Sequence, residues 1–317
     1  MYLLFLGSNC VTGSNFGIRQ IVGISVETKL INGGAVVREF KYFKPESLKE
    51  ASDLLVTYGD GAHILNGGTD LLTRIKAGVT RVDQVIDIKG IGGLDQLGFT
   101  KEDGLFIGAC VTLNSLMKND DVKRHYPMLI EAIHLLGSTQ IRNRATCIGN
   151  LCNASPLADT ATPLLVMDAV VHVYGKDGPR DISIHDFFTS VRKTSLIEGD
   201  IVTGVTLPYE EDFHGYFHKT SRRKEVDLAI VCASVARVKN DYRIALGAVA
   251  PTPIRASRTE AFLMDKRLNE DVIKRASLMI AGEISPIDDV RSTKEYRMDI
   301  AQVLVERGLE LLMKGDR

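Results

Sequence analysis

The stretch STQIRNRATCIGNLCNASPLADTATPLLVMDA, residues 138–169, is the part of this chain from which the rest can be interpreted. It contains a unit of small and polar residues at 146–150, a polar turn at 153–156 and an apolar helical run at 163–167. Glycine lets a main chain approach a ligand without a Cβ in the way, and Asn and Thr add short hydrogen-bonding side chains. A plain loop between two elements uses the same residue types. This stretch alone therefore leaves a ligand site and an ordinary loop equally open.

A second stretch lies upstream, where a short apolar strand at 62–65 meets a glycine turn at 66–69 and a helix-like run at 71–77. A strand that leads into a glycine turn and a helix is typical of phosphate sites, because free N–H groups point at the anion. The turn lacks the Gly-Lys-Ser/Thr of a P-loop and the three spaced glycines of the dinucleotide fingerprint. The alternative is a simple strand-to-helix connection in which Thr69 or Asp70 caps the helix.

Together these stretches resemble the FAD-binding medium subunits of the molybdenum hydroxylases, the xanthine dehydrogenase and carbon monoxide dehydrogenase family. The family pattern reads roughly A-G-G-T-D-L, then I-G-A-x-x-T, then Q-I-R-N-x-A-T-I-G-G-N followed by A-S-P-x-A-D. The resemblance extends from about Val37 to the C-terminus. Its motifs fall at 66–71, 107–112, 140–150, 154–159, 217–219, 221–223, 247–253 and 288–292.

The resemblance implies an α+β fold: a two-subdomain FAD-binding domain of the vanillyl-alcohol-oxidase/PCMH type, then a smaller α+β domain of the carbon monoxide dehydrogenase flavoprotein type. In the smaller domain, strands at 228–238 and 242–249 and helices at 257–263, 270–281 and 299–313 predict an antiparallel sheet with helices on one face. We expect the FAD-binding domain at 37–211, with subdomains of about 37–89 and 90–211, and the C-terminal domain at 212–317. Residues 1–36 lack a sustained period and precede a capping box at Ser47. We therefore expect a dispensable extension that is either poorly ordered or packed as a loose ribbon.

FAD is the implied cofactor, with residues 64–71 around the diphosphate and Thr146, Gly149 and Asn150 contacting phosphate and ribose from the other side. Asp159 would accept a hydrogen bond from the ribitol or ribose, unless it only caps the following helix. Lys219 would lie near the isoalloxazine, unless it is an ordinary surface lysine. A strand-end turn explains 108–112 as well as a cofactor contact does. The full set of expected contacts is Ile64, Leu65, Asn66, Gly67, Gly68, Thr69, Asp70, Leu71, Gly108, Ala109, Thr112, Leu136, Thr146, Cys147, Ile148, Gly149, Asn150, Asp159, Val202 and Lys219.

The overall composition restricts the alternatives. With 44% hydrophobic residues, 25% charged residues and a formal net charge of −1, the chain has the balance of an ordinary soluble protein. This balance argues against nucleic-acid binding, and we expect no transmembrane segment. The five cysteines form no CxxC pair and no HExxH motif occurs, so we expect no metal site and no disulfide framework. We therefore expect a cytoplasmic protein with reduced cysteines and without catalytic side chains of its own.

The resemblance also implies partners. Substrate oxidation would take place on a molybdenum cofactor in a large subunit, and a small subunit would carry two [2Fe–2S] clusters, in a heterotrimer or a dimer of heterotrimers. FAD would pass the electrons to NAD, a quinone or another acceptor. Two alternatives are a flavin-free structural subunit of such a complex and a stand-alone flavin oxidoreductase. The small C-terminal module disfavours the last, because it offers little room for a substrate pocket of the usual oxidase kind.

Two positions lead to further expectations: Gly68, and Ile148, where the family usually has a glycine. At Gly68 we expect a positive φ and a Cβ that would meet the diphosphate. Ile148 departs from the family, because it stands where the first glycine of Gly-Gly-Asn is usual. A β-branched residue resists a positive φ. Either the Ile148 side chain points into the core and its N–H still reaches the cofactor, or FAD is held more loosely than in relatives. We favour retained but somewhat weaker FAD binding, and we expect tighter binding after Ile148→Gly.

Overall fold

The computed structural model describes residues 39–315, and the expected N-terminal extension at 1–36 lies outside them. The chain forms three consecutive units, each built from a sheet and helices, so the α+β fold predicted from the sequence is confirmed. No helix within 39–315 combines the length and the apolar character needed to cross a membrane.

The first unit is a three-stranded parallel sheet in the order β1-β3-β2. Its first helix is capped as predicted, since the Ser47 hydroxyl accepts a hydrogen bond from the Glu50 N–H at 3.2 Å. The Glu50 carboxylate accepts from the Glu46 N–H rather than from that of Ser47, so the reciprocal bond of the capping box is displaced by one residue. Gly59 ends the helix with a φ of +51°. The elements are β1 (Lys41–Phe43), α1 (Leu48–Tyr58), β2 (Ala62–Leu65), α2 (Leu71–Lys76) and β3 (Gln84–Asp87).

The second unit has a five-stranded antiparallel sheet in the order β4-β5-β10-β6-β7. The last strand, β10, returns to the middle of this sheet, and Val205 pairs with Ile107 on one side and Val171 on the other. All three side chains are fully buried, so this row forms the centre of the main core. The elements are β4 (Leu97–Thr100), β5 (Gly104–Gly108), α3 (Leu113–Lys118), α4 (Asp120–His125), α5 (Pro127–His134), α6 (Thr139–Arg142), α7 (Cys147–Cys152), α8 (Ala161–Val166), β6 (Val170–Gly175), β7 (Gly178–Ser183), α9 (Ile184–Phe187), β8 (Phe188–Ser190), β9 (Lys193–Thr194) and β10 (Ile201–Leu207).

The third unit is a four-stranded antiparallel sheet in the order β11-β12-β13-β14, with three helices on one face as predicted. The last helix starts at Lys294, five residues before the predicted 299. It packs close to the sheet because Gly308 has no side chain: a Cβ there would lie 2.6 Å from the Cβ of Val235. The elements are β11 (Phe213–Thr220), β12 (Val231–Val238), β13 (Asp241–Gly247), β14 (Ile254–Arg255), α10 (Ser257–Leu263), α11 (Glu270–Met279) and α12 (Lys294–Gly315).

The second face of this sheet packs on the second unit. Successive strand residues point to opposite faces, and on β12 Val235 belongs to the core under the three helices while Cys232 and Ala236 belong to the main core. Helix α8 covers this second face, and the Ser234 hydroxyl donates to the Thr162 hydroxyl at 3.0 Å. The sheet is therefore buried between its own helices and the second unit.

Candidate cofactor-binding site

A cleft of about 360 Å³ is lined by the glycine turn of the first unit together with α7 and the start of β10 in the second. It brings together segments that are far apart in the sequence. The expected contacts that line the cleft are Ile64, Asn66, Gly67, Gly68, Thr69, Asp70, Leu71, Leu136, Thr146, Ile148, Gly149, Asn150 and Val202. The expected contacts that do not line it are Leu65, Gly108, Ala109, Thr112, Cys147, Asp159 and Lys219.

The glycine turn touches the backbone of the second unit directly. A Cβ on Gly67 would lie 2.2 Å from the carbonyl oxygen of Arg144 and 3.0 Å from the Cα of Ala145. Only a residue without a side chain permits this approach. Gly68 has the predicted positive φ, +76°, although its nearest obstacle is the Leu65 side chain at 2.8 Å. The backbone N–H groups of Gly67, Gly68 and Thr69 have no hydrogen-bond partner within residues 39–315.

The side chain of Asn66 connects the three sequence motifs. Its Nδ2 donates to the carbonyl of Ala109 at 2.5 Å and to the hydroxyl of Thr146 at 3.0 Å. Its Oδ1 is buried and has no partner among the described residues. Ala109 therefore helps to shape the cleft from behind, and the Asn66 oxygen is left as an acceptor. A buried acceptor without a donor costs free energy unless a ligand supplies the hydrogen.

Helix α7 presents its N-terminus to the same cleft. Thr146 occupies the cap position in an extended conformation, and its hydroxyl accepts from the Gly149 N–H at 2.9 Å. The Asn150 Oδ1 accepts from the Thr160 hydroxyl at 2.7 Å, which leaves the Asn150 amide nitrogen without a partner within the described part of the chain. Thr146 and Gly149 therefore form the end of the helix, and Asn150 retains a donor at the cleft wall.

The structure corrects the expectation for Ile148. This residue lies in the first turn of α7, and it is absent from the described residues with a positive φ. Its side chain is 3% exposed and belongs to the main core. A β-branched residue at such a position carries no left-handed strain. The backbone strain expected from the missing glycine is therefore absent, and the alternative in which the Ile148 side chain points into the core agrees with the structure. The effect of Ile148 on FAD affinity stays a prediction.

Asp159 and Lys219 form a buried ion pair behind the cleft wall. Lys219 Nζ lies 2.6 Å from Asp159 Oδ2 and also donates to the carbonyl of Leu135 at 3.1 Å. The two side chains are only 3% and 7% exposed, so the alternative of a surface lysine is wrong. Burial raises the pKa of Asp159 to about 6, although Lys219 opposes this shift. The helix-cap alternative for Asp159 is also wrong, because α8 begins at Ala161 and Thr160 occupies its cap.

The capping alternative for the glycine turn holds for the position of Asp70 but not for its side chain. Asp70 occupies the N-cap of α2, but its side chain makes no capping hydrogen bond. Its carboxylate lies instead 3.5 Å from Nη1 of Arg192, which donates to the Asn153 side chain at 2.5 Å. Arg192 therefore bridges the mouth of the cleft, from the glycine turn to the segment after α7.

Several residues of the cleft wall were not predicted from the sequence. One signal was available for Arg74, because it follows Asp70 by four positions and so shares its helix face. No pattern indicated Asp200, which is held by two hydrogen bonds from the Arg180 guanidinium. The lining residues outside the prediction are His63, Arg74, Thr80, Ile88, Ile141, Ala145, Cys152, Asn153, Leu196, Asp200 and Ile201.

Comparisons with known proteins identify the family. Residues 38–210 match the model of the FAD binding domain in molybdopterin dehydrogenase, and residues 216–312 match the carbon monoxide dehydrogenase flavoprotein C-terminal domain. The xanthine dehydrogenase FAD-binding subunit of Escherichia coli O157:H7 is 30% identical over 273 residues, covering 84% of this chain and 93% of the relative. The carbon monoxide dehydrogenase medium chain of Hydrogenophaga pseudoflava is 29% identical over 277 residues, covering 85% and 96%.

Solved structures agree with this assignment. A carbon monoxide dehydrogenase structure from Hydrogenophaga pseudoflava gives a TM-score of 0.83 at 28% identity, covering 87% of this chain and 97% of that chain. Quinoline 2-oxidoreductase from Pseudomonas putida 86 gives 0.82 at 25% identity, covering 88% and 99%. This chain therefore belongs to the FAD-binding medium subunits of the molybdenum hydroxylase family, as an oxidoreductase subunit whose cofactor is FAD.

Proposed function

We propose that this chain carries electrons within a multi-subunit molybdenum-dependent hydroxylase or dehydrogenase. Electrons arrive from the [2Fe–2S] clusters of a small partner, pass through FAD, and leave for NAD, a quinone or another acceptor. A large partner with the molybdenum cofactor oxidises the substrate, in a cytoplasmic heterotrimer or dimer of heterotrimers. The similarity to this chain covers almost the whole length of several relatives, and these are named medium chains or medium subunits, which supports this role.

The observation that carries the proposal is the set of unused polar groups at one cleft. The free N–H groups of the glycine turn suit a diphosphate, which offers only acceptors. The orphan Asn66 Oδ1 needs a donor, and the ribityl and ribose hydroxyls of FAD are donors. Asn150 adds a donor on the opposite wall. The residues present therefore fit FAD, and we propose that the lining residues predicted from the sequence contact it.

The remaining predicted residues act behind the wall in this proposal. Lys219 holds the carbonyl of Leu135, next to Leu136 in the cleft wall, while Asp159 compensates its charge. Ala109 fixes the Asn66 amide. When bound, flavin supplies the one- and two-electron chemistry, and the protein supplies orientation and exclusion of water. The role of the chain itself is to bind the flavin and to position it.

The first experiment is purification of the full chain, followed by visible absorption and electron-transfer assays. We expect flavin bands, and reduction of a dye by NADH if NAD is the acceptor. A purified chain that never binds added FAD would contradict the proposal and support the flavin-free alternative. Oxidation of a xanthine- or aldehyde-type substrate by the chain alone would contradict it in the other direction, because that chemistry is assigned to the large partner.

A further inference from the structure

A cation without a counter-charge lines the cleft beside the glycine turn. Arg74 lies on α2, half-buried, and its Nε donates to the Thr80 hydroxyl at 2.8 Å. The guanidinium forms no ion pair with any carboxylate of residues 39–315. Its terminal nitrogens therefore keep their hydrogen-bond donors for something else.

The acidic groups of the cleft are already neutralised by other residues. Asp70, four positions before Arg74, lies next to Arg192, and Asp200 is held by Arg180. Arg74 is also the only Lys or Arg among the described lining residues. Its positive charge is thus the one that the protein leaves uncompensated in this cleft. A half-buried charge of this kind is stabilised when a ligand of opposite charge binds.

His63 does not compete for that role. Burial and the nearby Arg74 lower the pKa of His63, and they outweigh the opposite effects of a hydrogen bond to the Gly61 backbone and of Asp60 and Asp83, so the imidazole is neutral near pH 7. Its buried Nδ1 has no hydrogen-bond partner within the described residues. The cluster of His63, Arg74 and Thr80 therefore offers one fixed positive charge and neutral polar groups to the cleft.

We propose that Arg74 binds the diphosphate of the cofactor and makes the site prefer the dinucleotide over flavins that lack a diphosphate. The inference rests on the proposed function, because it takes this cleft as the FAD site. The guanidinium fork matches phosphate oxygens, and the Nε–Thr80 bond fixes its plane before the ligand arrives. Arg74 is thereby a specificity residue outside the glycine motif.

The test uses the full chain freed of flavin, with ADP as a diphosphate probe and riboflavin as a probe without phosphate. Arg74→Gln should bind ADP about tenfold to a hundredfold more weakly than wild type, because hydrogen bonds to charged groups are strong. Riboflavin binding should stay unchanged, and added salt should weaken ADP binding less in the variant than in wild type. Lys76→Gln is the matched control, because it removes a positive charge from the exposed face of the same helix.

The outcomes separate the two proposals. A wild-type chain that binds neither FAD nor ADP overturns the proposed function itself. Wild-type binding combined with equal ADP affinities for Arg74→Gln and Lys76→Gln overturns only the role of Arg74. Equal losses for ADP and riboflavin would show a structural role and overturn it as well. If the Gln variant does not fold, Arg74→Lys must show weaker ADP binding at unchanged riboflavin binding, since a lysine cannot form the fork.

Discussion

The close contact at Gly67 makes the sharpest prediction for Gly67→Ala. The new Cβ would lie 2.2 Å from the Arg144 oxygen, so the two backbones must separate by about 1.2 Å to reach the 3.4 Å of ordinary contact. The hydrogen bond from Asn66 to Thr146, which is 3.0 Å long, would then become too long to persist. Overpacking costs about 1–3 kcal/mol and a lost hydrogen bond about 0.5–1.5 kcal/mol, so we expect unfolding to become easier by roughly 2–4 kcal/mol.

The assay is thermal and denaturant unfolding of the flavin-free chain, combined with flavin retention on dilution. We expect FAD to bind about tenfold more weakly or worse, because every 1.4 kcal/mol lost in binding is a factor of ten. Gly92→Ala is the control: a Cβ there meets nothing within 4 Å, and its φ is not positive. If Gly67→Ala melts and retains FAD like Gly92→Ala, the close approach of the two units does not hold the cleft together.

Two further predictions concern the core around the cleft. Ile148→Gly should lower the free energy of unfolding by roughly 3–5 kcal/mol, because it leaves a cavity in the core and puts a glycine into a helix. It should also weaken FAD binding; thermal melting and flavin retention measure the two effects. Tighter FAD binding would instead support the interpretation from the family pattern. For Lys219→Met, the loss in free energy of unfolding should be larger at pH 8 than at pH 5. The pKa of Asp159, about 6, lies above its ordinary value, so the folded state binds the extra proton and this group makes the protein less stable as pH rises through that range. Without Lys219 the buried carboxylate is unpaired at pH 8, at a cost of roughly 3–5 kcal/mol. Equal losses at both pH values in denaturant titrations would contradict the ion pair.

The sequence predicted those parts of the fold and of the cleft that depend on local backbone chemistry. The cap at Ser47 is visible because its hydroxyl accepts a hydrogen bond from an N–H three residues later. The positive φ of Gly68 was predictable because a glycine in a tight turn has no Cβ to oppose that conformation. In contrast, the pairing of Lys219 with Asp159 joins residues 60 positions apart and depends on how the C-terminal sheet docks. No local pattern carries that information.

Ile148 shows a different limit. Its departure from the family pattern was visible, but its consequence depended on whether the position is helical or left-handed. The sequence pattern does not state that conformation. Arg74 was missed because it lies outside every motif: its spacing from Asp70 places it on the same helix face, but its lack of a counter-charge depends on the pairing of Asp70 and Asp200 with other residues.

The C-terminal sheet belongs to two hydrophobic cores at once, since alternate residues of β12 complete the core of each neighbour. A chain cut after residue 211 would expose the apolar surface of α8 that this sheet now covers, in addition to losing the last unit. The two family matches therefore meet at a boundary in the sequence that is not a boundary of cooperative unfolding. Residues 39–315 should therefore unfold in a single cooperative transition, because neither unit retains a complete interior without the other.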